Sequence, residues 1–476
     1  MTSITSEPGG PGSHTDSAQP SQRASDSDAQ LGTQTTTGAR QGGPRAFLHR
    51  LHVVAGIFIA PFLIVAAITG LAYAVAPTLE KVVYHDELTA TSHAPVQSVE
   101  KQIEAAQAVH PDLSVLQVQL SEDPERTTRV AFADDTLKSE SYRHAVFVDP
   151  GDLSIKGDLV EYGSSGALPL RSWLSEGHRR LWMGDPGRIY SELAASWMGA
   201  LALGGLWLWW DRSRRRKQRE SAKPASPRMK QMAKHATLGT WLTVGLLFLT
   251  ATGLTWSMVA GENISTLREQ MSWTAPKANT ELADATTSAA PLSQADLVAE
   301  VARAQGLDGP MNVYLPEEPG AAWLVKEART EWRTDMNAVT VDGATGRVVD
   351  YVPFSDWSLP AKLAEWGINA HMGILFGIVN QLVLVVLAVG IILIAIRGYV
   401  MWFLRGKRDP LKPGRLPGPT RWRDVKPTVL IVLFVAIAAY AVVAPLFGIS
   451  LVVFVVVDLL IRAVKSRQAT SQQATS

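Results

Sequence analysis

The stretch Leu51-His52-Val53-Val54-Ala55-Gly56-Ile57-Phe58-Ile59-Ala60-Pro61-Phe62, continued without a charge through Leu63 to Val75, is apolar apart from one imidazole near its start and a Thr69-Gly70 pair near its end. At about 1.5 Å per residue it outreaches a hydrocarbon core about 30 Å thick, so it reads as a membrane span. Five further runs read the same way: Tyr190 to Trp210, Thr237 to Met258, Met372 to Phe403, Pro427 to Ala444 and Gly448 to Val464. The last two are short and flank Pro445, which fits either a kinked helix or a tight hairpin. Whole-chain averages, 46% hydrophobic and a formal charge of +1, conceal this because the apolar residues are concentrated in the runs.

Charge orients the spans. Arg212 to Lys234 holds ten Lys/Arg against one Glu, and Arg405 to Lys426 holds eight against two Asp, which marks both loops as cytoplasmic. Arg45 and Arg50 place the N-terminus on the same side, and a hairpin rather than a kinked helix returns Arg462, Lys465 and Arg467 there. The long segments Pro77 to Gly177 and Gly261 to Ala370 are acidic, 17 against 8 and 16 against 8, and face outside. The expected organisation is a tail over 1–44, spans at 45–76, 189–211, 236–260 and 371–404, outer α/β domains at 77–188 and 261–370, basic loops at 212–235 and 405–426, a membrane hairpin at 427–464 and a tail at 465–476. The first tail is too rich in Ser, Thr, Gly and Gln to fold, and it lacks a signal peptide's apolar run and cleavage site, so the first span is expected to stay as an anchor. The fold class is thus an integral membrane α-helical bundle of four core spans plus a hairpin, in the plasma membrane, with two extracytoplasmic domains.

An internal repeat underlies this order. His52, Gly56, Thr69, Gly70 and Leu71 recur 183 positions on as His235, Gly239, Thr252, Gly253 and Leu254; His178, Gly184, Gly205, Trp209 and Arg212 recur 193 positions on as His371, Gly377, Gly398, Trp402 and Arg405. Each outer segment has an amphipathic helix, Val99 to Val109 or Gln294 to Ala304, followed by extended stretches that reach a turn after Val146 to Asp149 or Val339 to Asp342. The unit of helix, outer domain, helix therefore occurs twice in parallel.

A lone histidine near a helix end reads first as an interfacial residue, but four at repeat-equivalent places read as ligands. The expected ligands are His52 and His235 toward the cytoplasmic face and His178 and His371 at the outer ends of the second and fourth spans. His49 has no repeat partner, although it could substitute for His52. His14, His85, His93, His110 and His144 lack partner spacing and receive no role. Gly56 and Gly239 follow their histidines by one turn on the same helix face, and Gly70 and Gly253 return to that face about 27 Å further on. Side-chain-free positions there would let a flat macrocycle lie against the helix; close helix packing through small residues is the competing explanation. Two facing imidazoles would fill both axial positions of haem iron and favour electron transfer. Arg50, Lys234, Arg179 and Arg180 read first as interfacial anchors and second as partners of haem propionates. The absence of cysteine excludes disulfides, thiolate clusters and covalent haem attachment.

These motifs, with Gly177-His178-Arg179-Arg180-Leu181, Gly184-Asp185-Pro186-Gly187, Thr252-Gly253-Leu254-Thr255-Trp256-Ser257, Ala370-His371-Met372-Gly373 and Phe376-Gly377, resemble the bacterial PepSY-associated transmembrane proteins, or iron-regulated membrane proteins, which include ferric-siderophore reductases. The resemblance covers residues 46–405. It implies PepSY-like outer domains, up to two bis-His b-type haems on the four histidines, and reduction of an extracytoplasmic ferric chelate. Partners would be the lipid bilayer and an electron donor protein or quinol, since no flavin or nicotinamide fingerprint is present; nothing points to nucleic acid. Two other classes compete: a non-redox PepSY protein that binds or regulates envelope partners, and a transporter suggested by the parallel repeat. Against the latter, the spans read as nearly free of charge, Asp458 being the main exception.

The loop charges make the topology testable. A reporter fused near Lys217 should be cytoplasmic, and one near Asp149 or Asp342 should lie outside; the opposite pattern would reverse the direction assigned here.

Overall fold

The computed structural model describes residues 44–216, 226–282, 291–405, 414, 416–417 and 427–474. The expected N-terminal tail and most of the two basic loops lie outside the described residues. From the N-terminus, α1 (Pro44–Ala74) leads into α2 (Ala76–Val83), α3 (His85–Leu88) and α4 (Val99–Gln107), then β1 (Val115–Leu120), β2 (Thr128–Phe132), β3 (Tyr142–Val148) and β4 (Ile155–Tyr162), and then α5 (Pro169–Arg180) and α6 (Asp185–Arg216). The second half runs α7 (Pro227–Thr255), α8 (Val259–Gln270), α9 (Ala295–Ala304), β5 (Met311–Tyr314), β6 (Trp323–Glu327), β7 (Ala338–Asp342), β8 (Arg347–Val352), α10 (Leu359–His371) and α11 (Gly377–Phe403), with α12 (Pro427–Val443) and α13 (Pro445–Ala474) last.

Four helices, over Arg45–Ala74, Asp185–Arg214, Pro227–Thr255 and Gly377–Phe403, are long and apolar enough to cross a membrane, and the chain is a multi-pass membrane protein. At Pro445 the chain reverses. Asn263, just beyond α7, donates to the Val442 carbonyl at 2.9 Å near the end of α12, whereas Asp458 on α13 pairs with Arg50 near the start of α1. Between these ends the Tyr440 hydroxyl donates to the Ser196 carbonyl at 2.7 Å and the Trp197 indole to the Ser450 hydroxyl at 2.9 Å, seating α12 and α13 against α6. Asp458 is not the only charge in the spans that matters. Glu192 on α6 is buried, and its two oxygens accept from the backbone N–H groups of Val259 and Ala260 at 2.9 and 3.0 Å, capping α8 where orphan donors and the helix dipole favour a carboxylate.

The two outer segments do not form separate domains. Their strands make one antiparallel sheet in the order β4-β3-β2-β1-β5-β6-β7-β8, joined where Val118 lies opposite Val313 and Leu120 opposite Met311. Each half is a four-stranded meander whose free edge would expose a row of backbone donors and acceptors, and pairing edge to edge fills both rows. One core follows: Ile103 and Ala106 of α4 and Val298 and Ala302 of α9 pack with Val118, Phe132, Met311 and Val325 of the sheet. Asp296 at the start of α9 reaches across the halves to cap α4, accepting from the N–H groups of Val99 and Glu100 at 2.7 and 3.2 Å.

The sequence reading puts His178 and His371 at the ends of the second and fourth spans. In the structure each lies near the end of a separate short helix, α5 or α10, joined to its span by a bend. Leu181, Trp182 and Gly184 have φ of 51°, 55° and 67° in the first bend, and Gly373 and Gly377 have φ of 77° and 53° in the second, conformations that stop a helix. At Gly187 an added Cβ would lie 1.6 Å from the Arg180 carbonyl oxygen, so the end of α5 touches the start of α6 through backbone alone. Buried charge ties α5 and α10 in place. Glu80 on α2 accepts from Arg171 at 3.0 Å and from the Leu168 N–H at 2.8 Å, and Arg329, after β6, forks onto Glu365 of α10 at 2.6 and 3.0 Å.

Asp296→Ala should destabilise the outer layer by about 1 kcal/mol, the usual worth of a lost cap. Hydrogen exchange should quicken at the first amides of α4 while the membrane helices keep their protection; unchanged exchange there would show that the cross-half cap carries no stability.

Candidate functional site

Paired imidazoles occupy two levels of the helix bundle. His52 of α1 faces His235 of α7 with ring centroids 6.2 Å apart and planes at 81°. His178 of α5 faces His371 of α10 at 6.4 Å and 40°. The second pair lies beside Thr69-Gly70 and Thr252-Gly253, which are seventeen and eighteen residues along α1 and α7 from the first pair, a rise of roughly 25–27 Å. The pairs thus mark the basic-loop end and the sheet end of the bundle.

Three of the four rings are oriented through Nδ1. Thr69 Oγ1 lies 3.2 Å from His178 Nδ1, and Thr252 Oγ1 lies 2.7 Å from His371 Nδ1. His235 Nδ1 lies 3.1 Å from the Ile394 carbonyl oxygen and therefore donates to it. Only His52 departs from this pattern: its Nδ1 is buried without a hydrogen bond of normal geometry, beside the Leu201 backbone of α6. His178 is also hydrogen-bonded to the Ala66 backbone of α1. The sequence reading passed over both threonines, although Thr69-Gly70 and Thr252-Gly253 stand out as a repeated dipeptide.

The glycines divide into two kinds. An added Cβ at Gly56 or Gly239 would meet nothing within 4 Å, so open space lies beside the helix one turn from His52 and from His235. At Gly70 it would lie 2.9 Å from His178 Cε1; that glycine admits the ring of its own pair rather than a further plane. Gly253 is intermediate, with only the Ala195 side chain at 3.9 Å. At Gly205, read in the sequence only as part of the repeat, an added Cβ would lie 3.1 Å from His52 Cε1.

At the sheet end a cavity of about 170 Å³ opens between α1, α6, α7 and α11. Gly70, Gly253, His178 and His371 line it, with Leu63, Met198 and Leu249 among its apolar walls and Arg179 and Arg188 among its polar ones. Tyr73 stacks near His178, centroids 6.3 Å apart and planes at 7°, and Trp256 meets His371 edge-on at 6.0 Å. His178 and His371 lie outside the spanning helices, and burial lowers the pKa of both, favouring the neutral imidazole that a metal requires. At the other end Arg50 is engaged by Asp458 and the Pro417 carbonyl, which removes it as a propionate partner, and His49 lies among Arg45, Arg228 and Arg405.

Haem fits these residues. A metal–imidazole bond is about 2 Å long, so two rings on opposite sides of one metal stand with centres about 6 Å apart once half of each ring is added. Both pairs have that separation. A bound haem would also need small residues or open space alongside and apolar walls, which Gly253 with Leu63, Met198 and Leu249 offer at the sheet end.

The model of one protein family, described as the PepSY-associated TM region, matches residues 49–405. That range includes all four histidines. No curated protein matches the chain.

The repeat-related glycines Gly205 and Gly398 should behave differently. A leucine at Gly205 would displace His52 and should cost about 1–3 kcal/mol through overpacking, whereas Gly398 has nothing within 4 Å of an added Cβ and should accept leucine within about 0.5 kcal/mol. Thermal unfolding of the two variants in one detergent compares them directly.

Proposed function

Because the chain belongs to the family of the PepSY-associated TM region, we propose that it is a transmembrane electron carrier that reduces a ferric complex outside the plasma membrane, a siderophore-iron reductase in type. The observation that carries this reading is the pair of imidazole pairs, 6.2 and 6.4 Å between ring centres, set one above the other in a four-helix core. Bound haem would supply reversible one-electron exchange without acid–base chemistry by the protein. His52 and His235 would hold one b-type haem and His178 and His371 the other.

The residues around the rings fit that role. Thr69, Thr252 and the Ile394 carbonyl fix ring orientation from the side away from the metal, as outer-shell partners of metal-bound histidines do. Apolar walls exclude water, and Arg179 and Arg188 offer positive charge at the sheet end. By their charge, the basic segments Arg212 to Lys234 and Arg405 to Lys426 would put the His52 and His235 level on the cytoplasmic side. Electrons would therefore come from a cytoplasmic protein or from membrane quinol and leave at the sheet end, where ferric iron in an external chelate takes up one electron and becomes ferrous.

The purified protein should carry up to two non-covalent b-type haems per chain, extractable by acidic acetone. His178→Ala or His371→Ala should remove the haem at the sheet end and abolish reduction of an external ferric chelate, while the other haem stays bound and reducible by the donor. His52→Ala or His235→Ala should leave a haem that dithionite reduces but the donor does not. Haem losses grouping His52 with His178 would overturn the pairing, and a colourless protein from haem-replete cells would favour the regulatory or transport reading.

A further inference from the structure

The sequence reading leaves His110 and His144 without a role because nothing in their spacing joins them. The fold does. His110 follows the end of α4, His144 is on β3, and Asp158 on β4 is the diagonal neighbour of His144, whose direct partners are Phe132 on β2 and Val160 on β4. Both histidines and Asp158 meet where α4 leaves the sheet: the His110 ring packs on Phe132 with centroids 5.5 Å apart and on the His144 ring at 4.7 Å.

The donor atoms converge. His110 Nε2 lies 2.9 Å from Asp158 Oδ2 and His144 Nδ1 lies 3.4 Å from Asp158 Oδ1. One ligand atom from each of the three residues falls within 4.8 Å of the others. A tetrahedral site with bonds of about 2.0–2.2 Å has its donors roughly 3.3–3.5 Å apart, so small side-chain rotations close the set around one ion.

A fourth residue decides how these atoms are protonated. Asp134 Oδ2 lies 3.1 Å from His144 Nε2. Thr136 donates to the Asp134 carboxylate from its backbone N–H at 2.8 Å and its hydroxyl at 2.6 Å, which holds that carboxyl below its ordinary pKa. An ionised carboxylate only accepts, so the proton of a neutral His144 ring sits on Nε2. Nδ1 then presents a lone pair to the lone pairs of Asp158, an arrangement that needs a positive centre between them. A proton can serve. A metal ion serves better, because it also takes the lone pair of His110, and because a carboxylate behind a ligating histidine is the usual outer-shell partner of a metal-bound imidazole.

We propose that His110, His144 and Asp158, with Asp134 behind His144, bind one divalent first-row transition ion of the zinc or ferrous-iron kind on the sheet, apart from the histidine pairs of the bundle. Two imidazoles and a carboxylate suit these borderline ions and not calcium or magnesium, which take all-oxygen shells. With three protein ligands the fourth position is left for water or for a group delivered to it.

Cobalt(II) is the probe, added to the full-length protein in detergent after metal is stripped by chelation. The expected result is one equivalent bound with the visible absorption of four-coordinate cobalt, displaced by zinc and not by magnesium. His110→Ala, His144→Ala and Asp158→Asn should each remove that equivalent, and Asp134→Asn should weaken it by about 10- to 100-fold. A His178→Ala/His371→Ala double variant should keep it, which separates this site from the bundle and keeps its outcome independent of whether haem binds there. No cobalt binding to the unaltered protein would mean that a proton alone fills the cluster and would overturn the proposal, as would binding that survives Asp158→Asn, a change at a half-exposed side chain that leaves the fold intact.

Discussion

A buried imidazole costs free energy unless its ring nitrogens find partners, and much of the arrangement of this protein follows from that constraint. An unsatisfied buried donor costs about 1–3 kcal/mol, so four rings set without partners would consume a large part of the stability of an ordinary fold. Thr69, Thr252 and the Ile394 carbonyl meet the demand on Nδ1 in three rings. The paired rings face one another across a short gap. Gly70 and Gly205 then have a physical reason, since a side chain at either would push a ring away from that space.

The separation between the sheet-end rings is set outside the helix bundle. His178 and His371 belong to α5 and α10, which are fastened on one side by Glu80 with Arg171 and on the other by Arg329 with Glu365. These anchors are tied to opposite halves of a sheet that is continuous through β1 and β5. Rigid pairing of those strands, and the capping of α4 by Asp296 from the other half, therefore fix how far apart α5 and α10 stand. The outer layer acts as the gauge for the distance between the His178 and His371 rings. The His52 and His235 pair has no such gauge and depends on helix packing alone, with His52 close against Gly205.

Much of this plan can be read in the residues, and the unread part has identifiable causes. Apolar runs, basic loops and matched histidines are local features of composition and spacing, so the four spans and both imidazole pairs were legible. The bends at Gly184 and at Gly373 and Gly377 were not, because a glycine beside an apolar run looks the same whether it ends a helix or packs inside one. Edge pairing of β1 with β5 was hidden because a strand's sequence tells which face is buried, not which edge is free. Glu192 was passed over as one charge in a long span; only the fold shows α8 beginning against it. His110 and His144 stand 34 positions apart, and no spacing rule joins a helix end to a strand.

The fate of the charges within the bundle separates the proposed carrier from a transporter. Coupled transport needs a buried charge that can exchange partners as the halves move, and such groups mark ion pathways in membrane proteins. Here Glu192 has both oxygens on the start of α8, Asp458 is held by Arg50, and Arg397 donates to Gln231 at 3.1 Å. Moving one half against the other would break the contact of Glu192 on α6 with α8 and would also have to shear a sheet that is continuous through β1 and β5. Electron transfer asks for the reverse: fixed sites, dry walls and little reorganisation. A bundle braced by one continuous sheet, with Glu192 committed to a helix end and Asp458 to an ion pair, is built to keep its imidazoles still.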